Sequence, residues 1–344
     1  MAIDPWFLEH LVCPADHQPL QPAGHDLVCE SGHRYPVVDD VPVMLRSDVP
    51  QTIDLAGASL KRARGEHYDT RAPQLHLESL GISEEEKQGV LQMAGRDGSI
   101  DPVVAHLVAA TNGLMYKHLI GHLHRYPVPE LPLPDGRGRS LLDVGCSWGR
   151  WTLAAGAKGY EAVGIDPSLG AVMAARRVAQ HLGVRNRYLV GDARYLPFPL
   201  RSFDVTYSYS VLQHMAPSDV TQAVSEMGRV LRAGGRAKVQ MPTAFGVRCL
   251  YHQARRAFRN ATGFEVRYWT IPALVGLFNR HIGETRVVAD CYFGIGLQPS
   301  DEPLMTPGLR RVVRASERLK AASRRWSALV WAADSVFVES VSRA

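Results

Sequence analysis

Hydrophobic and polar positions change their period several times along the chain, and each change marks an element. Leu141, Leu142 and Val144 surround Asp143, and Gly145-Cys146-Ser147-Trp148-Gly149 follows at once. Beyond that loop an apolar run covers residues 151–157. A short apolar run, a glycine-punctuated loop and a longer apolar run read as buried strand, tight turn and helix. The pattern then repeats. Val163-Gly164-Ile165 ends in Asp166, and a helix is expected over 168–182. A third strand leads to Gly191-Asp192-Ala193, and Ser202-Phe203-Asp204-Val205-Thr206-Tyr207-Ser208 forms a fourth. A helix over 219–231, capped by Ser218 and stopped by Gly234-Gly235, precedes a fifth strand at 237–241. Residues 286–289 and 335–341 are candidate sixth and seventh strands. This alternation predicts an α/β fold, a doubly wound and mainly parallel sheet with helices on both faces.

The flanking regions carry other periods. Over residues 1–46, short β-type runs alternate with Pro, Gly and Asp turns, as in a small β-rich module. So small a unit usually needs a staple. Cys13, Asp16, Cys29 and His33 follow the rhythm of a zinc ribbon, in which two short knuckles each supply two ligands. His17 is an alternative to Asp16, and the bland alternative is a ribbon that outlived its metal, with Cys13 and Cys29 as small buried residues. Either way the module is structural, since a four-ligand site leaves no open position for a substrate. Residues 47–139 are helical in pattern. Ser83 and Glu86 form a capping box, and Val103, Val104, Leu107 and Val108 recur at helical spacing. A proline- and glycine-rich linker from Tyr126 to Gly138 then leads to the first strand of the 140–344 region.

Two insertions interrupt that region, and the substrate site is expected to be built from them. One, at 243–270, sets aromatics among Arg248, Arg255, Arg256, Arg259 and Arg267. The other, at 293–328, ends in a strongly basic helix, expected to be a solvated face with Leu309, Val312, Val313 and Leu319 turned inward.

Composition bounds these readings. The chain has 344 residues, 46% hydrophobic and 21% charged, enough for two domains and a sizeable core. A net charge of +5 permits an anionic partner without requiring one. The five cysteines are scattered and odd in number, against a disulfide framework. No apolar run is long enough to span a bilayer, and the first residues lack a signal-peptide pattern, so a cytoplasmic location is expected.

The motifs at Asp143–Gly149, Asp166, Asp192, Ser202–Ser208 and Gly234-Gly235, in that order, resemble a class I S-adenosylmethionine-dependent methyltransferase of the ubiquinone/menaquinone methylase-like subgroup, over about residues 141–242. In that family the loop reads acid-x-Gly-x-Gly-x-Gly; here Ser147 replaces the middle glycine. The resemblance implies a seven-stranded, Rossmann-like sheet whose last two strands form an antiparallel pair at its edge. It implies S-adenosyl-L-methionine as cofactor. Asp143, Gly145 and Gly149, with Cys146 between them, would shape its methionine side. Asp166 would bond the ribose, with Pro167 beside it. Asp192 and Ala193 would approach the adenine, and Ser208 would lie near the transferring methyl. Arg150 and Trp151 are further contacts in the first helical turn, and the helices before the first strand would cap the pocket, with Tyr116 or His118 lining it. Residues 1–46 resemble the Trm112-like zinc-ribbon modules found beside some methyltransferases, with Asp16 where those carry Cys.

His214, on the turn after the fourth strand, is the candidate catalytic base, since an imidazole near neutrality suits removal of a hydroxyl proton. No cluster of carboxylates and histidines at the strand ends points to a catalytic metal. The first expectation is O-methylation of a small-molecule or glycan acceptor. The loop after the fourth strand lacks the Asn-Pro-Pro-Tyr type sequence used on exocyclic amines. A second is an RNA methyltransferase that holds nucleic acid with its ribbon and basic helix, although no RNA-binding signature is present. A third is a non-catalytic module that only binds cofactor.

Overall fold

The computed structural model describes residues 3–66, 69–94, 100–294 and 296–343. It opens with α1 (Pro5–His10), whose first turn is capped by the Asp4 carboxylate. A four-stranded sheet follows in chain order: β1 (Gln21–Ala23), β2 (Asp26–Val28), β3 (Arg34–Val38) and β4 (Val41–Pro42), every neighbour antiparallel.

This N-terminal unit shares its core with the rest of the chain. Phe7, Leu11, Leu27 and Met44 belong to the same buried cluster as Leu142, Val144, Ile165 and Leu189. Three links fasten it. The Met44 amide donates to the Val190 carbonyl at 2.7 Å, Val43 bridges Val190 in parallel, and Asp4 pairs with Arg187 at 2.8 Å.

Three helices come next: α2 (Asp54–Ala63), α3 (Glu84–Ala94) and α4 (Pro102–Asn112). The capping box is present, for the Ser83 amide donates to Glu86 at 2.8 Å and the Glu86 amide to Ser83 Oγ at 3.2 Å. Gly113 ends α4, and residues 114–119 continue as a 3₁₀ helix.

The central region alternates strand and helix: β5 (Ser140–Val144), α5 (Arg150–Ala157), β6 (Glu161–Asp166), α6 (Leu169–His181), β7 (Arg187–Val190), β8 (Phe203–Ser208), α7 (Pro217–Val230) and β9 (Leu231–Pro242). It continues with α8 (Val247–Arg255), α9 (Ile271–His281), β10 (Gly283–Cys291), α10 (Pro307–Ser323) and β11 (Ser335–Ser342). The seven-stranded sheet has the order β10-β11-β9-β8-β5-β6-β7. β9, β8, β5, β6 and β7 are parallel; β11 is antiparallel to both β9 and β10, the expected edge pair. Because β5 and β6 are covered on both faces, Leu141, Leu142 and Val144 of the one and Ala162 to Ile165 of the other are all apolar and buried.

Two boundaries differ from expectation. α7 begins at Pro217 rather than after Ser218, because proline suits the first helical position. Gly234-Gly235 does not stop that helix. β9 already starts at Leu231, and the glycines lie where its register against β8 jumps, from Phe203 opposite Leu231 to Val205 opposite Arg236. The basic helix α10 is a solvated face as expected: Val313 is buried, while Arg311 and Arg318 are exposed. Among the described residues no helix is long and apolar enough to cross a membrane.

Candidate functional site

The parallel strands β7, β6, β5 and β8 end side by side, so Asp166, Asp143 and Ser208 lie at one edge of the sheet, with Asp192 just beyond β7. Most residues there are buried. Gly145, Ser147, Asp166, Pro167, Ala193 and Val211 keep partial exposure. The crevice outside the strand ends, where strand order reverses, is where open α/β sheets bind ligands.

Asp166 anchors the glycine loop. Its Oδ2 accepts the Ser147 amide at 2.9 Å and its Oδ1 the Ser168 amide at 2.9 Å. Burial raises its carboxyl to about 6, against the lowering effect of those two amides. Ser147 holds φ +47°, a left-handed conformation that glycine adopts more easily.

Asp143 is buried. Burial raises its carboxyl to about 7, opposed by the Thr152 hydroxyl and reinforced by the charge of Asp166. Its Oδ2 accepts from Thr152 Oγ1 at 2.6 Å, and its Oδ1 has no protein partner. The two loop glycines allow close packing. A Cβ on Gly145 would lie 2.3 Å from Val211 Cγ2, and one on Gly149 would lie 2.9 Å from the Tyr188 hydroxyl. Cys146 is buried between them.

Other expected contacts have partners of their own. Asp192 is chelated by the Arg194 guanidinium, at 3.0 Å from Nε and 2.7 Å from Nη2. Ser208 Oγ donates to the Val144 carbonyl at 2.8 Å and ties β8 to β5. Trp151 packs in the core against Tyr209, ring centroids 4.6 Å apart and planes tilted by 35°. Arg150 forms a buried ion pair with Asp301 and donates to the Tyr116 hydroxyl at 3.1 Å and the Pro127 carbonyl at 2.8 Å. Tyr116 is therefore held inside a polar knot, and the exposed His118 lies against the Met115 and Leu304 carbonyls.

The helices before β5 pack on the crevice rim. Ser59 Oγ donates to the Pro167 carbonyl at 2.8 Å, and Trp148 Nε1 donates to Thr111 Oγ1 at 3.0 Å. Asp301, Thr152, Arg194 and Val211 are the members that sequence reasoning missed. Asp301 stands there only as an acid in one of the two insertions expected to bind substrate.

His214 sits in a short 3₁₀ turn after β8. Its Nδ1 lies 2.7 Å from the Phe264 carbonyl, which can only accept, so Nδ1 carries the proton. The Nε2 lone pair then faces the Gln213 amide nitrogen at 3.1 Å. Burial pulls the imidazole below its usual value, so the ring is neutral at physiological pH. The Phe264 ring stacks on it at 4.0 Å, which brings the 243–270 insertion against this turn.

In the N-terminal unit, Cys13, Asp16, Cys29 and His33 converge, their ligand atoms all within 4.8 Å of one another. His33 Nδ1 is 3.5 Å from Cys13 Sγ, 3.3 Å from Cys29 Sγ and 3.2 Å from Asp16 Oδ2, and Cys29 Sγ is 3.6 Å from that carboxylate. A tetrahedron drawn with ordinary zinc–ligand lengths has edges of ~3.3–3.8 Å, so the donor set fits a divalent cation. Asp16, not His17, completes it. Burial pushes the Cys13 thiol up to about 11, and a bound cation would reverse that by favouring the thiolate.

Residues 141–235 match the model of the family described as "Methyltransferase domain". The chain is 39% identical over 97 residues to the uncharacterized methyltransferase YcgJ of Bacillus subtilis, which is 28% of this chain and 38% of that protein. It is 31% identical over 99 residues to a ubiquinone biosynthesis O-methyltransferase of Azorhizobium caulinodans, 29% of this chain and 38% of that one. It thus spans under two fifths of the length of either relative. The crystal structure of YcgJ aligns with a TM-score of 0.40 at 21% identity, covering 68% of this chain and all but 1% of the other at 99%.

Proposed function

We propose that this chain, which carries a class I S-adenosylmethionine-dependent methyltransferase domain over residues 141–235, transfers a methyl group to a hydroxyl of a small-molecule or glycan acceptor. The observation that carries the reading is Asp166. It is a part-exposed carboxylate at the carboxyl end of β6, braced by two backbone amides, one of them from the glycine loop. Each of its oxygens keeps a further lone pair, which suits the paired hydroxyls of a ribose. The residues fit the cofactor elsewhere too: Asp143 retains an acceptor without a protein partner, and Ala193 and Pro167 keep partial exposure.

When bound, S-adenosylmethionine supplies an activated methyl carbon. The chain's own part is to hold it and aim the acceptor. In this assignment Asp166 binds the ribose, and Pro167 flanks it. Gly145, Cys146 and Gly149 shape the loop around the methionine end, with Asp143 beneath them. Asp192 and Ala193 border the adenine, with Asp192 oriented by Arg194. Ser208 keeps β8 in register with the loop. Arg150 and Trp151 act from behind, as supports for the first turn of α5. His214 takes the acceptor proton on Nε2 once the Gln213 amide gives way, while Nδ1–H stays bonded to the Phe264 carbonyl. The choice of oxygen is supported by the O-methyltransferase relative and by the neutral imidazole, a base matched to a hydroxyl. The N-terminal unit holds one structural zinc through Cys13, Asp16, Cys29 and His33, and takes no part in the chemistry.

The test has two stages. Titration calorimetry should show S-adenosylmethionine binding to the wild type and none to Asp166→Ala, because the ribose hydroxyls would lose their acceptor. Incubation with the methyl-labelled compound and a fractionated extract should then place label in a small-molecule or glycan fraction. Equal affinity in the variant, or label confined to RNA, would overturn the assignment.

A further inference from the structure

Helix α8 is turned inside out. Its apolar positions Val247, Leu250, Tyr251 and Ala254 fall at i, i+3, i+4 and i+7, a stripe that normally faces a core. Here all four are exposed; Val247 shows 55% of its surface, Leu250 40% and Tyr251 56%. The only buried residue of the helix is Cys249, on the opposite side. Phe245 before the helix and Phe258 and Phe264 after it are exposed as well, at 53%, 65% and 60%. Contiguous apolar exposure of this kind marks a contact surface.

The charge around it has one sign. Residues 242–268 contain five arginines and a single carboxylate, Glu265, which pairs with Arg259 at 2.6 Å. The guanidinium groups of Arg248 and Arg255 have no salt-bridge partner among the described residues; that of Arg255 lies 5.9 Å from the centre of the Tyr251 ring. A second exposed segment abuts the first. Asp334 Oδ1 accepts the Arg248 and Cys249 amides, and Gly246 packs on Ala333 and Asp334. The turn just before carries Trp326 and Trp331, 64% and 48% exposed, and follows the exposed Arg324 and Arg325.

We propose that α8, the loop behind it and the Trp326–Trp331 turn dock on an anionic lipid surface. Aliphatic residues enter the acyl boundary, Tyr and Trp settle at headgroup depth, and the arginines reach phosphates. Charge complementarity selects this occupant. A second copy of the chain through the same face would set arginines against arginines. RNA would use the aromatics and arginines but not Val247, Leu250 and Ala254, which cannot stack on bases. The face is fastened to the candidate base, since Arg267 Nη1 donates to the His214 carbonyl at 2.8 Å and the Phe264 ring lies on the His214 ring. Resting on the methyl-transfer reading, this names the acceptor class: an amphipathic molecule held in that lipid surface with its hydroxyl at the interface.

The test is co-sedimentation of the full chain with vesicles of phosphatidylcholine alone or mixed equally with phosphatidylglycerol. The wild type should sediment with the anionic vesicles and be released by salt. Binding should fall at least about tenfold in Leu250→Glu/Tyr251→Glu and, independently, in the surface variant Arg248→Glu/Arg255→Glu. Sedimentation no stronger on anionic than on neutral vesicles would overturn the proposal. So would full binding by folded variants, or a dimer that Leu250→Glu dissolves, or RNA that binds the face in place of vesicles. Calorimetry with S-adenosylmethionine is run on the same proteins. Vesicle binding without cofactor binding would sink methyl transfer alone, and the reverse would sink docking alone.

Discussion

Arg150 and Asp301 meet in a buried ion pair across 151 positions of chain. Arg150 opens α5 directly behind the glycine loop, and Asp301 lies in the 293–328 insertion. Their pairing, shared with Tyr116, clamps that insertion and the helical cap onto the loop. Asp301→Ala would leave a buried guanidinium uncompensated and should cost ~3–5 kcal/mol. The apolar pair Arg150→Met with Asp301→Leu should recover most of that loss. Denaturant unfolding of the single and double variants measures both, and an Asp301→Ala protein as stable as the wild type would refute the clamp.

The carboxyls of Asp143 and Asp166, raised to about 7 and about 6, give a pH dependence of definite sign. Their folded values exceed the unfolded ones, so the folded state binds more protons between about pH 4 and 7. Their contribution to stability is therefore lost as pH rises through that window. Asp143→Asn removes its share while Thr152 can still donate to the amide oxygen. The ligand-free variant should gain roughly 1–3 kcal/mol over the wild type near about pH 8 and nothing near about pH 4. Parallel stability profiles for the two proteins would contradict this.

Ser147 occupies a left-handed backbone position at φ +47°. Ser147→Gly should relieve the conformation and raise stability by up to ~1 kcal/mol, with the amide bond to Asp166 retained. Ser147→Val should lower it by more, because a β-branched residue tolerates that region least. Thermal melting of both variants decides the matter.

His214→Gln keeps a side chain of similar reach and removes the base. Turnover should drop by roughly 10²–10⁴ with cofactor affinity unchanged. Because burial draws the imidazole below its ordinary value, the acid limb of the wild-type rate profile should lie below about pH 6.5, and it should vanish in the variant. Wild-type turnover in His214→Gln would remove the residue from the mechanism.

Metal analysis of the purified chain should find roughly one zinc per molecule. Chelation or Cys29→Ser should release it and lower the melting temperature, since a site assembled by folding returns its binding energy as stability. A metal-free chain with an unchanged melting point would leave Cys13 and Cys29 as packing residues.

Much of this was legible from local pattern. The run Leu141–Val144 with its glycine loop specified β5 and the start of α5, because a strand buried on both faces leaves little choice of composition. The capping box at Ser83 was equally local. What escaped depends on contacts distant in sequence. Nothing near Gly145 names Val211 as the side chain pressed against it. Gly234-Gly235 misled for the converse reason. A glycine pair that would end a helix in isolation serves here as an irregularity within β9, once β8 is alongside. The inward and outward faces of α8 could not be assigned from its period alone, because the apolar stripe points away from the core.

The link from Met44 to Val190 has a practical sequel. β7 is the last strand of the large sheet on that side, and the segment after β4 shields its outer rim. A shortened protein beginning at the first strand of the catalytic sheet would present that rim bare, with Leu189 and its neighbours stripped of their cover. Such an edge invites strand-to-strand clumping, so trimming the front of this chain is a route to insolubility.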